Sequence, residues 1–491
     1  MNVVNLIRQK MMKTPWTKYY KKEDRKIKIE DISIYQMLAK NNISRDKNIA
    51  INYYGTLITY KELFHKINQA ANAFRSQGIR RGDIVTICMP NTPEALISFY
   101  ALNKIGAIAN MIHPLSGEQE IKEYLTSTHS VMLIMIDICY EKVKNVIKET
   151  DVYKTIVTSA SDSMGFLLSF GYQVTQGYKI KKPKRSEEYV YWKDFIRKGL
   201  NYRETGETAT GKDTPAVILH SGGTTGNPKG IVLSNGNFNA LSMQAKIVFN
   251  EVRPGEKVLA IMPIFHGFGL GVSINAPLVL GCEVILIPQF NAKKFDKLLE
   301  KYKPNILFGV PTLFEALINT KNERLDLSMV RYVISGGDSL SSSLERRINV
   351  FLASHKARVE ISQGYGMTES LAAVALAFGK ANKPGSIGIP FPSNYIKIVK
   401  PRTQEEVPYG EDGEICISGP TVMLGYLDNE KETNEMLQIH KDGLVWLHTG
   451  DMGMMDEDGV VFYRQRIKRM IISSGYNIYP AHVEQVIEEH P

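Results

Sequence analysis

Ser221-Gly-Gly-Thr-Thr-Gly-Asn-Pro-Lys-Gly230 follows without a break on the apolar run Ala216-Val-Ile-Leu-His220. The run reads as a strand, and the ten residues after it as the loop that leaves its carboxyl end. Gly222, Gly223 and Gly226 free the backbone to take positive φ and to come close to a ligand. The loop amides, the hydroxyls of Ser221, Thr224 and Thr225, and the ammonium of Lys229 are donors suited to a polyphosphate. A flexible surface turn would need the glycines, but not Ser, Thr, Thr and Lys at these positions. A Walker A loop ends Gly-Lys-Ser/Thr, with the last hydroxyl on magnesium. Here Lys229 is followed by Gly230 and the strand-like Ile231-Val-Leu-Ser234, which disfavours a P-loop ATPase.

Outward from this loop, helix and strand signals alternate. Towards the N-terminus, Thr59-Tyr-Lys-Glu62 is a capping box, and Leu63, Ile67, Ala70, Ala71 and Phe74 continue it at helical spacing. Gly78 and the turn Arg81-Gly82-Asp83 end that helix, residues 84–89 read as a buried strand, and residues 93–105 as the next helix. The stretch from about 160 to 213 is basic and less regular. Beyond the loop, residues 258–262, 284–287, 306–310 and 332–335 are strand candidates, and 292–301 reads as a helix. Such alternation predicts an α/β fold with a mainly parallel sheet covered by helices and ligands at the carboxyl ends of the strands. From about residue 390 the texture turns β-rich, which suggests a small β-barrel-like subdomain.

Length and composition set the frame. With 491 residues the chain exceeds a single compact core. Apolar residues make up 43% and charged residues 23%, an ordinary balance for a globular protein. Cys88, Cys139, Cys282 and Cys416 are far apart in sequence and form no CxxC pair, which argues against a zinc site or a disulfide framework and fits a reducing cytoplasm. The N-terminus lacks a signal-peptide apolar stretch, and no uncharged apolar run reaches the roughly 20 residues that cross a bilayer. The formal charge of +9 gathers locally in residues 18–28 (KYYKKEDRKIK) and 179–185 (KIKKPKR). These clusters read either as a solvated surface or as a peripheral foothold on anionic membrane. No nucleic-acid motif accompanies the charge.

SGGTTGNPKG resembles the signature loop of the adenylate-forming superfamily, which includes acyl- and aryl-CoA synthetases, peptide-synthetase adenylation domains and luciferases. Further motifs follow in the family's order, and the resemblance covers nearly the whole chain. Ser335-Gly-Gly-Asp-Ser-Leu340 matches the loop that lies against adenine, implicating Gly336, Gly337, Asp338 and Ser339, although alone it is a plain strand-to-helix turn. Gln363-Gly-Tyr-Gly-Met-Thr-Glu369 is similar to the second nucleotide motif, comprising Gln363, Gly364, Tyr365, Gly366, Met367, Thr368 and Glu369. The resemblance implies that Tyr365 stacks on adenine, the Thr368 hydroxyl meets the α-phosphate and Glu369 holds Mg2+. It further implies that Asp451, in Thr449-Gly-Asp451, accepts from both ribose hydroxyls and that Arg466 approaches the ribose. His266, in MPIFHGFGL, matches the substrate-pocket aromatic that orients the carboxylate or gates the tunnel; the competing reading is a buried structural histidine. Adenylation domains for amino acids usually carry Phe-Asp where this chain has Phe265-His266.

The implied reaction consumes ATP and a carboxylic acid, releases pyrophosphate, and passes the acyl group from AMP to a thiol, expected to be CoA. Because a carboxylate is already a nucleophile, alignment and charge neutralisation by Lys229, Thr368, Glu369 and His266 matter more than a general base. Residues 1–467 are expected to form the large N-terminal adenylation domain. Lys468 matches the hinge and Gly475 the border of the thiol channel, with residues 468–491 as hinge and start of a truncated C-terminal domain. The family's Gly-Lys segment with its catalytic lysine has no counterpart, so the polypeptide as given is expected to bind nucleotide but to perform the first step poorly. Trp16-Thr-Lys-Tyr-Tyr20 and Ile112-His113-Pro114 look like the medium- and long-chain fatty acyl branch. An aryl- or other carboxylate-CoA ligase, and a nucleotide-binding module without turnover, are the alternatives.

Overall fold

The computed structural model describes residues 14–200, 202, 208, 210–221, 229–469, 471–473 and 476–478. The chain divides into two compact units: one holds residues 29–291 and 304–306, the other residues 1–28, 292–303 and 307–491. That division falls inside the stretch expected to be one large domain with subdomains.

In the unit built on residues 29–291, seven strands lie side by side in the order Lys229–Ser234, Pro215–Ser221, Ile108–Ile112, Ile84–Cys88, Met132–Ile136, Lys154–Thr158 and Tyr189–Tyr191. All neighbours are parallel except the first pair, which is antiparallel. A second run places Lys257–Ala260, Glu283–Leu286, Ile49–Tyr53 and Thr56–Thr59 in that order. The connecting helices follow from local chemistry. Helix Tyr60–Ser76 starts at the expected capping box, where Thr59 Oγ1 accepts from Glu62 N and Glu62 Oε2 accepts from Thr59 N. Helix Pro93–Ile105 is capped by Thr92, opens on Pro93 and stops at Gly106, whose φ of 78° is the left-handed conformation that favours glycine. It packs on Tyr60–Ser76 through residues buried on nearly every side.

In the other unit, strands Ile306–Gly309, Tyr332–Ser335 and Ile361–Tyr365 lie side by side, the last two parallel, and are extended by the short antiparallel pieces Ala375–Leu376 and Ile389–Pro390. A separate five-stranded antiparallel set contains Tyr395–Val399, Gly413–Ser418, Val445–Met455, Leu437–Ile439 and Val461–Arg466. This confirms the β-rich texture but corrects the barrel-like expectation. The long strand Val445–Met455 pairs with Leu437–Ile439 over its first residues and with Val461–Arg466 over its last, so the set branches instead of closing.

The irregular stretch from about 160 also differs from expectation. It contains helices Phe166–Thr175 and Trp192–Gly199 and strand Tyr189–Tyr191. The cysteines, distant in sequence, are all free and buried, yet Cys88 and Cys139 bring their Sγ atoms within 3.8 Å. Among the described residues, no helix is long and apolar enough to cross a membrane.

Gly388 is the tightest backbone passage in the β extension. It has φ of 75°, and a Cβ there would lie 1.9 Å from the Leu376 carbonyl oxygen. Gly388→Ala is therefore expected to destabilise this unit by about 3 kcal/mol or more, through steric overlap added to left-handed strain, measured as a lowered urea midpoint.

Candidate functional site

Two neighbouring parallel strands carry the first part of the site. Ser335 and Gln363 are register partners, so strands Tyr332–Ser335 and Ile361–Tyr365 deliver their following loops at the same level. Gly336 is buried and donates its amide to the Gly309 carbonyl, 3.0 Å away. Gly337, with φ of 81°, then turns the chain outward, leaving Asp338 and Ser339 exposed. Asp338 Oδ1 accepts from the Ser339 amide. The result is a small-residue loop with accessible backbone, suited to a flat ring.

Tyr365 is the last residue of its strand, and its hydroxyl donates to Asp451 Oδ2 at 2.8 Å. Asp451 is paired across the antiparallel ladder with Arg466, whose Nε lies 3.5 Å from Asp451 Oδ1. That oxygen is buried and has no hydrogen-bond partner. Burial raises the Asp451 carboxyl above its usual range, against the pull of the Tyr365 hydrogen bond and of Arg466. Burial, and then the Asp451 charge, raise the Tyr365 phenol well above its ordinary value. Of the two oxygens expected to meet ribose hydroxyls, one is already engaged by Tyr365, so Oδ1 is the acceptor still seeking a donor.

After Tyr365 the chain passes Gly366, where a Cβ would sit 2.4 Å from the Ala372 carbonyl oxygen, and enters the short 3-10 turn Thr368–Ser370. Thr368 is half-buried. Glu369 is buried; its backbone carbonyl accepts from Met423 N, and its Oε1 accepts from the Tyr426 hydroxyl at 2.9 Å. A second network holds the strand beside Asp451. Glu414 Oε1 accepts from Gly450 N, Glu414 Oε2 lies 3.1 Å from His448 Nδ1, and His448 Nε2 lies 2.9 Å from His440 Nε2. Burial first, then Lys397 and His448, bring His440 down to about 4. Sequence reasoning missed Tyr426, Glu414, His440 and His448, because none stands in a recognisable motif and each reaches the site through sheet register.

In the other unit, Ser221 and Lys229 are register partners at the end of the antiparallel pair Pro215–Ser221 and Lys229–Ser234. Gly222, Gly223, Thr224, Thr225 and Gly226 lie outside the described residues, as does Gly475. His220, next to the loop, has Nε2 2.6 Å from Asn110 Oδ1 and its ring 4.2 Å from that of Tyr124. Its Nδ1 is buried without a partner, and burial lowers its pKa to about 4. His266 is exposed, which disagrees with the buried structural reading, although its surroundings still strip away enough water to lower its pKa, with His113 adding to the effect. Its neighbour Phe265 packs its ring at a tilt against both His266 and His113. Asn91 sets the approach to this turn, donating to the carbonyls of Ala260 and Met262 and accepting from Ile264 N. Lys468 lies exposed in the 3-10 turn Ile467–Arg469, directly after strand Val461–Arg466.

Comparison with known proteins adds a family. The profile of the family described as AMP-binding enzyme matches residues 39–427. A long-chain-fatty-acid–CoA ligase of Bacillus subtilis (strain 168) is 31% identical over 97% of this chain and 84% of its own length. A protein of Dictyostelium discoideum named "Probable 4-coumarate--CoA ligase 1" is 32% identical over 96% of this chain and 84% of its own. The crystal structure of the anthranilate CoA ligase AuaEII in complex with anthranoyl-AMP superposes with a TM-score of 0.81 at 22% identity, covering 95% of this chain and 83% of that one, and so shares the fold.

Tyr365→Phe is expected to leave buried Asp451 Oδ2 without its donor and to cost about 1–3 kcal/mol of unfolding free energy, read from urea denaturation. Acid is expected to weaken the fold through His220. The unfolded chain takes a proton near 6.5, whereas the folded one refuses it until about 4. The contribution is therefore intact above about pH 6.5 and is lost as pH falls towards 4, up to about 3 kcal/mol for this one group. Melting temperatures at about pH 7 and about pH 4.5 should diverge less in His220→Gln than in wild type, with His440 contributing the remaining slope in the same direction.

Proposed function

Because the chain belongs to the AMP-binding enzyme family, we propose that it is an AMP-forming ligase that joins a carboxylic acid to coenzyme A, and that the acid is a medium- or long-chain fatty acid. The observation that carries the nucleotide half is the buried, half-satisfied carboxylate of Asp451, held by Tyr365 and flanked by Arg466. A ribose hydroxyl supplies the donor that Oδ1 lacks.

In this reading the substrate carboxylate attacks the α-phosphorus of ATP, the bond to pyrophosphate breaks, and the acyl adenylate forms. The thiol of CoA then attacks the acyl carbonyl and AMP leaves. Gly337, Asp338 and Ser339 border the adenine, Gln363, Gly364 and Met367 shape the same wall, and Tyr365 presents its ring. The Thr368 hydroxyl donates to the α-phosphate. Ser221, Thr224, Thr225, Lys229 and the intervening amides hold the phosphate tail. His266 orients the carboxylate, Gly336 and Gly475 border the acyl and thiol path, and Lys468 is the pivot. Glu369 suits magnesium, because one oxygen is steadied by Tyr426 and the carboxylate offers its second, and magnesium takes one or two carboxylates beside phosphate oxygens and water. The ion, when bound, supplies charge neutralisation for the departing pyrophosphate.

The fatty-acid assignment is supported by the similarity to the Bacillus ligase, and Phe265-His266 in place of Phe-Asp speaks against an amino acid. An aryl acid is the second reading, favoured by the 32% identity to the Dictyostelium protein.

Calorimetry with acyl-adenylate mimics, in which sulfamate replaces the phosphate, separates the two. Affinity should rise by roughly 0.8 kcal/mol, about four-fold, for each added methylene until the pocket ends. A benzoyl mimic that outbinds every aliphatic one would overturn the fatty-acid reading. Glu369→Gln should weaken ATP binding in magnesium by at least about ten-fold while sparing AMP without metal. Unchanged magnesium dependence would remove Glu369 from that role.

A further inference from the structure

Helix Phe166–Thr175 (FLLSFGYQVT) turns its apolar side the wrong way for a globular protein. Phe166 and Leu167 are 84% and 82% exposed, and Leu168, Phe170, Val174 and the following Tyr178 are exposed as well. Single exposed apolar residues need no explanation, whereas a run of large ones on one short element marks an interaction site. The helix is fixed to its unit by its other side. Gln173 Nε2 donates to Ser161 Oγ at 2.7 Å, and Gly171 and Tyr172 are half-buried.

Charge beside the helix identifies the partner. From Gly165 to Arg185 the sequence carries five basic residues, Lys179, Lys181, Lys182, Lys184 and Arg185, and no acidic one. Lys182 is spent on the buried carboxylate of Asp137, Lys181 lies 3.5 Å from Glu141, and Arg185 shares Asp194 with Arg197. Lys179 and Lys184 are exposed. Lys179 stands over the Tyr178 ring, so the tyrosine combines an apolar body with a cationic neighbour, as side chains at a headgroup boundary do. A protein groove would want a shaped complement, but an apolar strip bordered by cations fits a fluid layer with negative headgroups. At ten residues the helix cannot cross a bilayer and would lie in its surface.

We propose that helix Phe166–Thr175, with the basic segment 179–185, docks this protein onto an anionic lipid surface. The docking goes beyond the catalytic reading and stands whether the acid is fatty or aryl. Apolar side chains enter the acyl boundary while the cations meet the headgroups, so binding needs both.

The test is co-sedimentation of the whole chain with vesicles of phosphatidylcholine plus phosphatidylglycerol, and with phosphatidylcholine alone. Wild type should pellet with the anionic vesicles, stay largely in solution with the neutral ones, and be released by salt. The triple variant Lys179→Gln, Lys181→Gln, Lys184→Gln should lose on the order of five-fold in partitioning per cation. Phe166→Ser, Leu167→Ser, Phe170→Ser together should lose on the order of a hundred-fold or more. Both should keep the wild-type melting temperature and ATP binding in magnesium. The salt dependence of wild type and the cation variant decide the matter even where the apolar variant fails to fold. Wild type that remains in solution with anionic vesicles, or that pellets equally with both vesicle types and in the cation variant, overturns the proposal. A wild-type dimer in sedimentation velocity that becomes monomeric in the apolar variant overturns it too, because a second copy then covers the helix.

Discussion

The hydroxyl of Tyr365 donates to a carboxylate oxygen of Asp451 across 2.8 Å, and through that bond a parallel strand is tied to the middle of an antiparallel one. Both groups are buried, so the bond is made in a low-dielectric setting, and leaving either partner unmatched costs more than the bond itself contributes. The bond fixes where the ring of Tyr365 stands and which of the two Asp451 oxygens stays open. The network on the far side serves the same end. Glu414 takes the Gly450 amide, Thr449 Oγ1 donates to the Ile415 carbonyl and accepts from Asp451 N, and these bonds hold the strand at Gly450, whose φ is 69°. A glycine at position 450 is what lets the chain present Asp451 at that angle.

Sheet register places the other groups. Ser335 opposite Gln363 sets two loops level at the carboxyl ends of parallel strands, where the following amides and side chains can converge on one ligand. The two residues that flank the phosphate-type segment are held differently, by an antiparallel ladder with Ser221 opposite Lys229. Antiparallel ladder hydrogen bonds bring the ends of a glycine-rich segment together, so the entropy of closing it is offset by the sheet and not by the ligand.

Much of this was legible in the sequence where the cause is local. The capping box at Thr59 and Glu62, the Thr92 and Pro93 start, and the short apolar strands all appeared where nearest-neighbour chemistry puts them. One strand ended early for a non-local reason. Residues 258–262 read as a single apolar run, but Asn91 takes the carbonyls of Ala260 and Met262, and the strand stops at Ala260. Helix Phe166–Thr175 escaped because periodicity arguments assume that apolar residues face a core, whereas its Phe166, Leu167 and Phe170 face outward. The β-rich segment was visible, but its open, branched order depends on an eleven-residue strand shared by two successive partners, and no local alternation encodes that. Cys88 and Cys139 met because Cys88 ends strand Ile84–Cys88 and Cys139 lies in the 3-10 turn just after its parallel neighbour Met132–Ile136, a fact of topology and not of spacing. Tyr426, Glu414 and His448 belong to the same class, single residues whose partners lie 57, 36 and 34 positions away.

Among the buried polar atoms without a partner, His220 Nδ1 and Asp451 Oδ1 are dealt with in different ways. His220 Nδ1 is left bare, and its neighbour Asn110 is fully engaged, with Oδ1 against His220 and Nδ2 donating to Thr86 and Thr128. Nothing nearby can rescue a second ring proton, so the imidazole stays neutral to about pH 4, and the orphan is a lone pair, less costly than a buried charge. Asp451 cannot use that escape so easily, because Tyr365 and Arg466 both favour its ionised form against the burial that opposes it. Its open oxygen is an anion's lone pair held away from water, and a neutral donor arriving there removes a penalty that the folded chain alone leaves standing. One orphan is tolerated by withholding a proton; the other is tolerated because it is an acceptor kept ready for a hydroxyl.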